Sequence, residues 1–85
     1  MNFRISKHAQ VEMERRSIPI RFLEAVLESP QQIVPERGEL KAYQSIIDFG
    51  SGKKFLLRVI VDDTLESANV ITAYRTSKIV KYWRS

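Results

Sequence analysis

Cysteine is absent from the 85 residues, and histidine occurs once, at His8. The first absence excludes a disulfide framework and any thiolate metal centre. The second leaves too few imidazoles for a histidine-rich metal site, so neither a metal nor another cofactor is expected. Long apolar runs are also missing. The longest is Val59-Ile60-Val61, extended to Phe55-Leu56-Leu57 only by crossing Arg58. This falls far short of the roughly 20 residues that span a bilayer. Met1-Asn2-Phe3-Arg4-Ile5 has no apolar leader segment. A cytoplasmic location away from membranes is therefore the expectation.

The residues that are present read as ordinary globular chain. Hydrophobic residues make up 44% and charged residues 28%, enough for one core and too few residues for two, so residues 1–85 are expected to form a single domain. The net charge is +4, and it is unevenly placed. From Lys53 onward there are seven basic residues (Lys53, Lys54, Arg58, Arg75, Lys78, Lys81 and Arg84) against three acids (Asp62, Asp63 and Glu66). That excess favours a polyanion, with nucleic acid the first candidate and an acidic protein the second. A basic but merely solvated surface is the alternative.

Periodicity divides the chain into helices and then strands. Ser6 suits an N-cap for a helix to about Arg16, with Ile5, Ala9 and Met13 on one face. His8, Glu12 and Arg15 form a second stripe beside it. Ser17-Ile18-Pro19 breaks that helix, and a second runs from about Pro19 to Ser29 with Phe22, Leu23, Val26 and Leu27 facing the core. After Pro30 the period changes. Residues 31–34 suit a short edge strand closed by Pro35, and Glu36-Arg37-Gly38-Glu39 suits a turn. Residues 40–49 and 55–62 read as strands joined at Gly50-Ser51-Gly52. The second is apolar on both faces, as a central strand is. Residues 69–75 form the last strand, with Val70, Thr72 and Tyr74 on one face and Ile71, Ala73 and Arg75 on the other. Lys78 to Ser85 is either a short helix capped by Thr76-Ser77 or a tail. The expected fold is α+β: an N-terminal helical hairpin packed on a mostly antiparallel sheet of about four strands.

Ser6-Lys7-His8-Ala9, Met13-Glu14-Arg15-Arg16-Ser17-Ile18 and Val26-Leu27-Glu28-Ser29-Pro30 resemble the opening of a bacterial domain family of unknown function. Leu57-Arg58-Val59-Ile60-Val61 and the run from Val70 to Lys78 extend the resemblance, which covers about Ser6 to Tyr82. That family is related to the BrnT toxins within the RelE/ParE superfamily. The chain departs from it at Ser17, where glycine is expected, and at Pro19, where a Ser or Thr cap is usual. The resemblance implies a RelE/ParE-like fold and the toxin of a type II toxin–antitoxin pair. Such a toxin would be a metal-independent endoribonuclease that inhibits translation, acting on RNA such as ribosome-bound messenger RNA and held inactive by a cognate antitoxin. The superfamily also contains gyrase-directed toxins and members without demonstrated activity, so fold alone does not fix the reaction.

Metal-free RNA cleavage needs a base for the 2′-hydroxyl, a cation for the pentavalent phosphate and an acid for the leaving 5′-oxygen. Arg58 is the first candidate for the cation, since an arginine between Leu57 and Val59 is costly unless it meets a partner. A structural ion pair with Glu12 or Glu14 is the competing role. His8 is the one imidazole, a group whose ordinary titration range suits proton transfer; a packing or capping role competes. Tyr74 completes the expected catalytic set, as a base-stacking residue or proton donor, against a core role. Arg15, Arg16, Arg75 and Lys78 are candidate RNA contacts, against solvated or ion-paired charges. Tyr43, Tyr82 and Trp83 suit covering the sheet better than stacking on bases. A non-catalytic module that binds nucleic acid or protein through the same basic face is the alternative to the nuclease.

Overall fold

A computed structural model describes residues 2–85; Met1, part of the leader reading and of the single-domain expectation, lies outside them. The described chain runs β1 (Asn2–Ile5), α1 (Lys7–Arg15), α2 (Ile20–Glu28), β2 (Gln32–Pro35), β3 (Lys41–Asp48), β4 (Lys54–Asp62), β5 (Ser67–Thr76) and α3 (Ile79–Tyr82). Its five strands form one sheet in the order β1-β5-β4-β3-β2. From β2 to β5, sequential neighbours pair antiparallel, as their short connections dictate. β1 pairs parallel to β5, with Asn2 opposite Ser67 and Ile5 opposite Val70.

This corrects the expectation of an N-terminal helical hairpin on a sheet of about four, mostly antiparallel strands. The described chain opens with a strand, and the sheet has five strands and is mixed; of the two readings of residues 78–85, the short helix is the one that forms. β1 is only four residues long, too short to show a period of two. Ile5 stands four residues before Ala9 and so mimics the start of a helical stripe. Instead its half-buried side chain belongs to β1, while Ala9 and Met13 carry the buried face of α1.

The local devices are readable residue by residue. Ser6 caps α1 by accepting from Ala9 N at 3.0 Å. At the other end Ile18 N donates to Met13 O at 2.9 Å and Ser17 N to Glu14 O at 3.2 Å. These are the paired bonds of a Schellman stop, and Ser17 takes the left-handed position at φ 53° that such a stop assigns most often to glycine. Ser17 therefore carries a conformational cost in this turn that glycine would not. Ile18, buried directly after it, redirects the chain into α2.

β4 is the centre of the molecule. Leu56, Leu57, Val59 and Val61 are wholly buried. Leu57, Val59 and Val61 face the helices, packing with Ala9, Met13, Leu23, Val26 and Leu27. On the opposite face Ile60 packs with Val34 and Ala42, flanked by Leu40 and Tyr74. The alternation expected along β5 is broken by a register shift at Ile60/Val61, where Val61 pairs with Val70 and Ile60 with Thr72. The extra residue puts Val70 on the helix face with Ala73, leaving Tyr74 on the other. Among the described residues no helix is long and apolar enough to cross a membrane.

Candidate functional site

Two polar clusters carry the residues singled out from the sequence. The first crosses the sheet face opposite α1 and α2. Gln32, Gln44, Arg58 and Tyr74 are register partners on four successive strands, so their side chains form one row. Arg58 is 3% exposed. It donates from Nε to Gln44 Oε1 at 2.8 Å, from Nη1 to the Tyr74 hydroxyl at 2.7 Å and from Nη2 to Glu36 Oε1 at 3.0 Å. The Tyr82 ring of α3 lies 4.4 Å from its guanidinium carbon, closing the site from above. Gln44 in turn donates to Gln32 Oε1 at 2.8 Å and to the Tyr82 carbonyl at 3.1 Å. Gln32 also exchanges hydrogen bonds with the Arg84 backbone. No buried side-chain polar atom among the described residues lacks a partner.

A buried guanidinium must recover its lost hydration from such partners. Its carboxylate is Glu36, in the turn between β2 and β3, and not Glu12 or Glu14. Burial raises the Tyr74 hydroxyl above its ordinary range, opposed by the hydrogen bond and charge of Arg58. Arg58 and Tyr74 therefore meet as the sequence suggested, but under a helix rather than on an open surface.

The second cluster lies on α1. His8 Nε2 stands 3.8 Å from Glu12 Oε1. Arg15 donates from Nε to Glu12 Oε2 at 3.0 Å and from Nη2 to the same oxygen. Arg16 Nη2 lies 3.4 Å from that oxygen. One carboxylate thus gathers one imidazole and two guanidiniums. The hydrogen bond from Arg15 holds the Glu12 carboxyl below the usual carboxylate range, helped by the positive charge of Arg15 and Arg16. Arg16 is anchored further, donating from Nη1 to the Ala73 carbonyl at 2.8 Å. β1 pairs with β5 only as far as Val70, and Arg16 takes over at the edge beyond it. His8 and Arg15 remain open to solvent, their side chains 68% and 66% exposed.

His8 does not join Arg58 and Tyr74. Its helix packs Ala9 and Met13 on the helix-facing core, whereas Tyr74 belongs to the cluster on the other face. Of the expected RNA contacts, Arg15 and Arg16 are in the α1 cluster. The Arg75 guanidinium lies over Phe49 and Phe55, at 4.6 and 5.0 Å from the ring centroids. Lys78 is exposed at the start of α3. Tyr43 is a core residue whose hydroxyl donates to Asp63 at 2.9 Å. Glu36 and Gln44 escaped the sequence reading: Glu36 sits in a turn with no periodicity, while Gln44 interrupts the apolar content of β3 as Arg58 interrupts β4, a parallel that could have linked them. Among the described residues no group of three or more histidines and carboxylates is placed to hold a metal ion.

The family model of a domain of unknown function (DUF4258) matches residues 5–75, which include the α1 cluster and the strand row of Gln32, Gln44, Arg58 and Tyr74 but stop before α3 and its Tyr82. No curated protein and no solved structure matches the chain.

Proposed function

The chain belongs to the DUF4258 family, and we propose that it is a metal-independent endoribonuclease, the toxin of a toxin–antitoxin pair that inhibits translation. The observation that carries this reading is the α1 cluster, in which Glu12 holds His8, Arg15 and Arg16 together at the surface. Those side chains supply the types of group the reaction needs. His8 takes the 2′-hydroxyl proton as that oxygen attacks phosphorus. The guanidinium forks of Arg15 and Arg16 neutralise the charge gathering on the phosphate oxygens. The bond to the 5′-oxygen breaks, and the protonated imidazole returns its proton to the leaving alkoxide. The products are a 2′,3′-cyclic phosphate and a 5′-hydroxyl end. Glu12 is a positioning residue here, keeping the imidazole and the forks on one side of the helix. An acidic antitoxin would inhibit by covering this same basic surface.

The burial of Arg58 favours a second reading. Since Arg58 and Tyr74 are engaged beneath α3, a chain that relied on them for chemistry would be inert, leaving a non-catalytic module that binds nucleic acid or protein. The two readings separate in one experiment. Purified protein is incubated with RNA, alone and on ribosomes, in the presence of a chelator, and fragment ends are identified by mass spectrometry. Cyclic-phosphate ends are expected, with His8→Ala cleaving about 10²–10⁴-fold more slowly while its circular dichroism is unchanged. Equal cleavage by His8→Ala would overturn the assignment, and intact RNA with wild-type protein would leave the binding module.

A further inference from the structure

A third cluster lies apart from both polar ones, where the β3–β4 hairpin meets the start of α2. Phe22, Phe49 and Phe55 pack edge to face, with ring centroids 5.0 and 5.6 Å apart in turn. All three are only half-buried. Phe22 and Phe49 also pack against the helix-facing core, and guanidiniums lie over the rings: Arg21 lies 4.9 Å from the centre of Phe22, and Arg75 lies 4.6 Å from Phe49 and 5.0 Å from Phe55. Arg15, Arg16 and Arg58 each lie beside a carboxylate, whereas among the described residues neither Arg21 nor Arg75 is in an ion pair. Lys53 and Lys54 stand exposed on the adjoining hairpin. The neighbouring acid, Asp48, accepts from Gly50 N at 2.7 Å within the turn.

We propose that this cluster is a base-stacking site for single-stranded nucleic acid, with Arg21 and Arg75 presenting flat guanidinium faces to bases and Lys53 and Lys54 holding the adjacent phosphates. A guanidinium laid on an aromatic ring is fixed in orientation by it. Its outer plane and N–H edge stay available to a base and a phosphate. Stacking of this kind is tolerant of sequence, since every base has a π-face, and the lysines make it sensitive to salt. The site rests on the reading of the chain as RNA-acting and extends it: the substrate is single-stranded, and nucleotides flanking the cleaved bond are held here, away from α1.

The test uses fluorescein-labelled oligothymidine, which stacks but has no 2′-hydroxyl to cleave, followed by fluorescence anisotropy over a range of salt. Wild-type protein should bind at low salt. Arg21→Gln with Arg75→Gln should weaken binding about tenfold. Lys53→Gln with Lys54→Gln, both at exposed positions, should lower the slope of log affinity against log salt by roughly 1.4, at roughly 0.7 for each phosphate. Binding that depends on these residues in a protein that leaves RNA intact would keep the site and discard the nuclease. Cleavage of RNA by a wild type whose two double variants bind oligothymidine as it does would discard the site and keep the nuclease. Failure of folded wild-type protein to bind oligothymidine at low salt would also discard the site.

Discussion

Arg58 and Arg15 each meet a glutamate, yet one arginine lies beneath a helix and the other in water. Arg58 is 3% exposed and reaches Gln44, Tyr74 and Glu36 from three donors. The Arg15 side chain is 66% exposed, one turn from its partner on the same helix. The same charge pair therefore has different consequences in the two places. Inside, removing the guanidinium strands the Gln44 and Tyr74 oxygens that face it. Outside, water replaces a lost partner at little cost, and the groups remain free to meet a ligand. Arginine in the interior orders the sheet, and arginine at the surface is available for chemistry.

The largest effect expected from breaking this contrast is at Arg58. Arg58→Ala leaves Gln44 Oε1 and the Tyr74 hydroxyl without their partner under α3, while the 34% exposed Glu36 can turn to water, and it should destabilise the fold by about 1–3 kcal/mol for each group left unsatisfied, read in urea titration. A loss below about 1 kcal/mol, the range of exposed pairs, would erase the distinction between the clusters.

A second interior group gives an intermediate effect, confined to alkaline pH. Tyr43 is pushed up to about 12 by burial first and then by its hydrogen bond to Asp63. Its folded value exceeds the ordinary 10.0, so the protonated hydroxyl is the form the fold favours. That stabilisation is complete below the ordinary value and is lost as pH rises through about 12. The stability difference between wild type and Tyr43→Phe should shrink over that window, and absorbance near 295 nm should show one late-ionising tyrosine fewer in the variant than in wild type. A difference that stays constant across the window would remove Tyr43 from the interior class.

The smallest effect is at Glu12. Its carboxyl is lowered from 4.5 by Arg15, so the ionised form adds stability above that value and the contribution disappears as pH falls through the lowered one. Glu12→Gln should melt close to wild type at neutral pH, with the remaining difference vanishing in acid and shrinking with added salt. A loss matching that of Arg58→Ala would show α1 to be tied to the core through this cluster. RNA cleavage by Glu12→Gln should fall while its fold persists, if Glu12 positions His8.

Much of the site was legible where it depends on one element. His8, Glu12 and Arg15 share a helical stripe by spacing alone, and the structure joins them on α1. Arg58 stood out because an arginine between Leu57 and Val59 has to find partners. Which partners it finds was not legible, since Glu36 is 22 residues away in a turn and loop positions carry no period. β1 was missed for a related reason: four residues give no pattern, and its partner Ser67–Val70 lies at the other end of the chain. The faces of β5 were misread beyond Val70 because one bulged residue exchanges every later side chain.

The sequence by itself determined the α1 cap at Ser6, the buried stripe of α2, the central place of β4 and the basic balance of the C-terminal third. Each follows from short-range periodicity, turn chemistry or composition, which need no knowledge of distant neighbours. Only the tertiary structure decided that a parallel β1 closes the sheet, that Arg58 pairs with Glu36 beneath Tyr82, and that His8 stands apart from Tyr74. Those outcomes depend on which remote segments come together, and that choice is made by the shared burial of whole faces, where the register of one strand sets the surroundings of all the others.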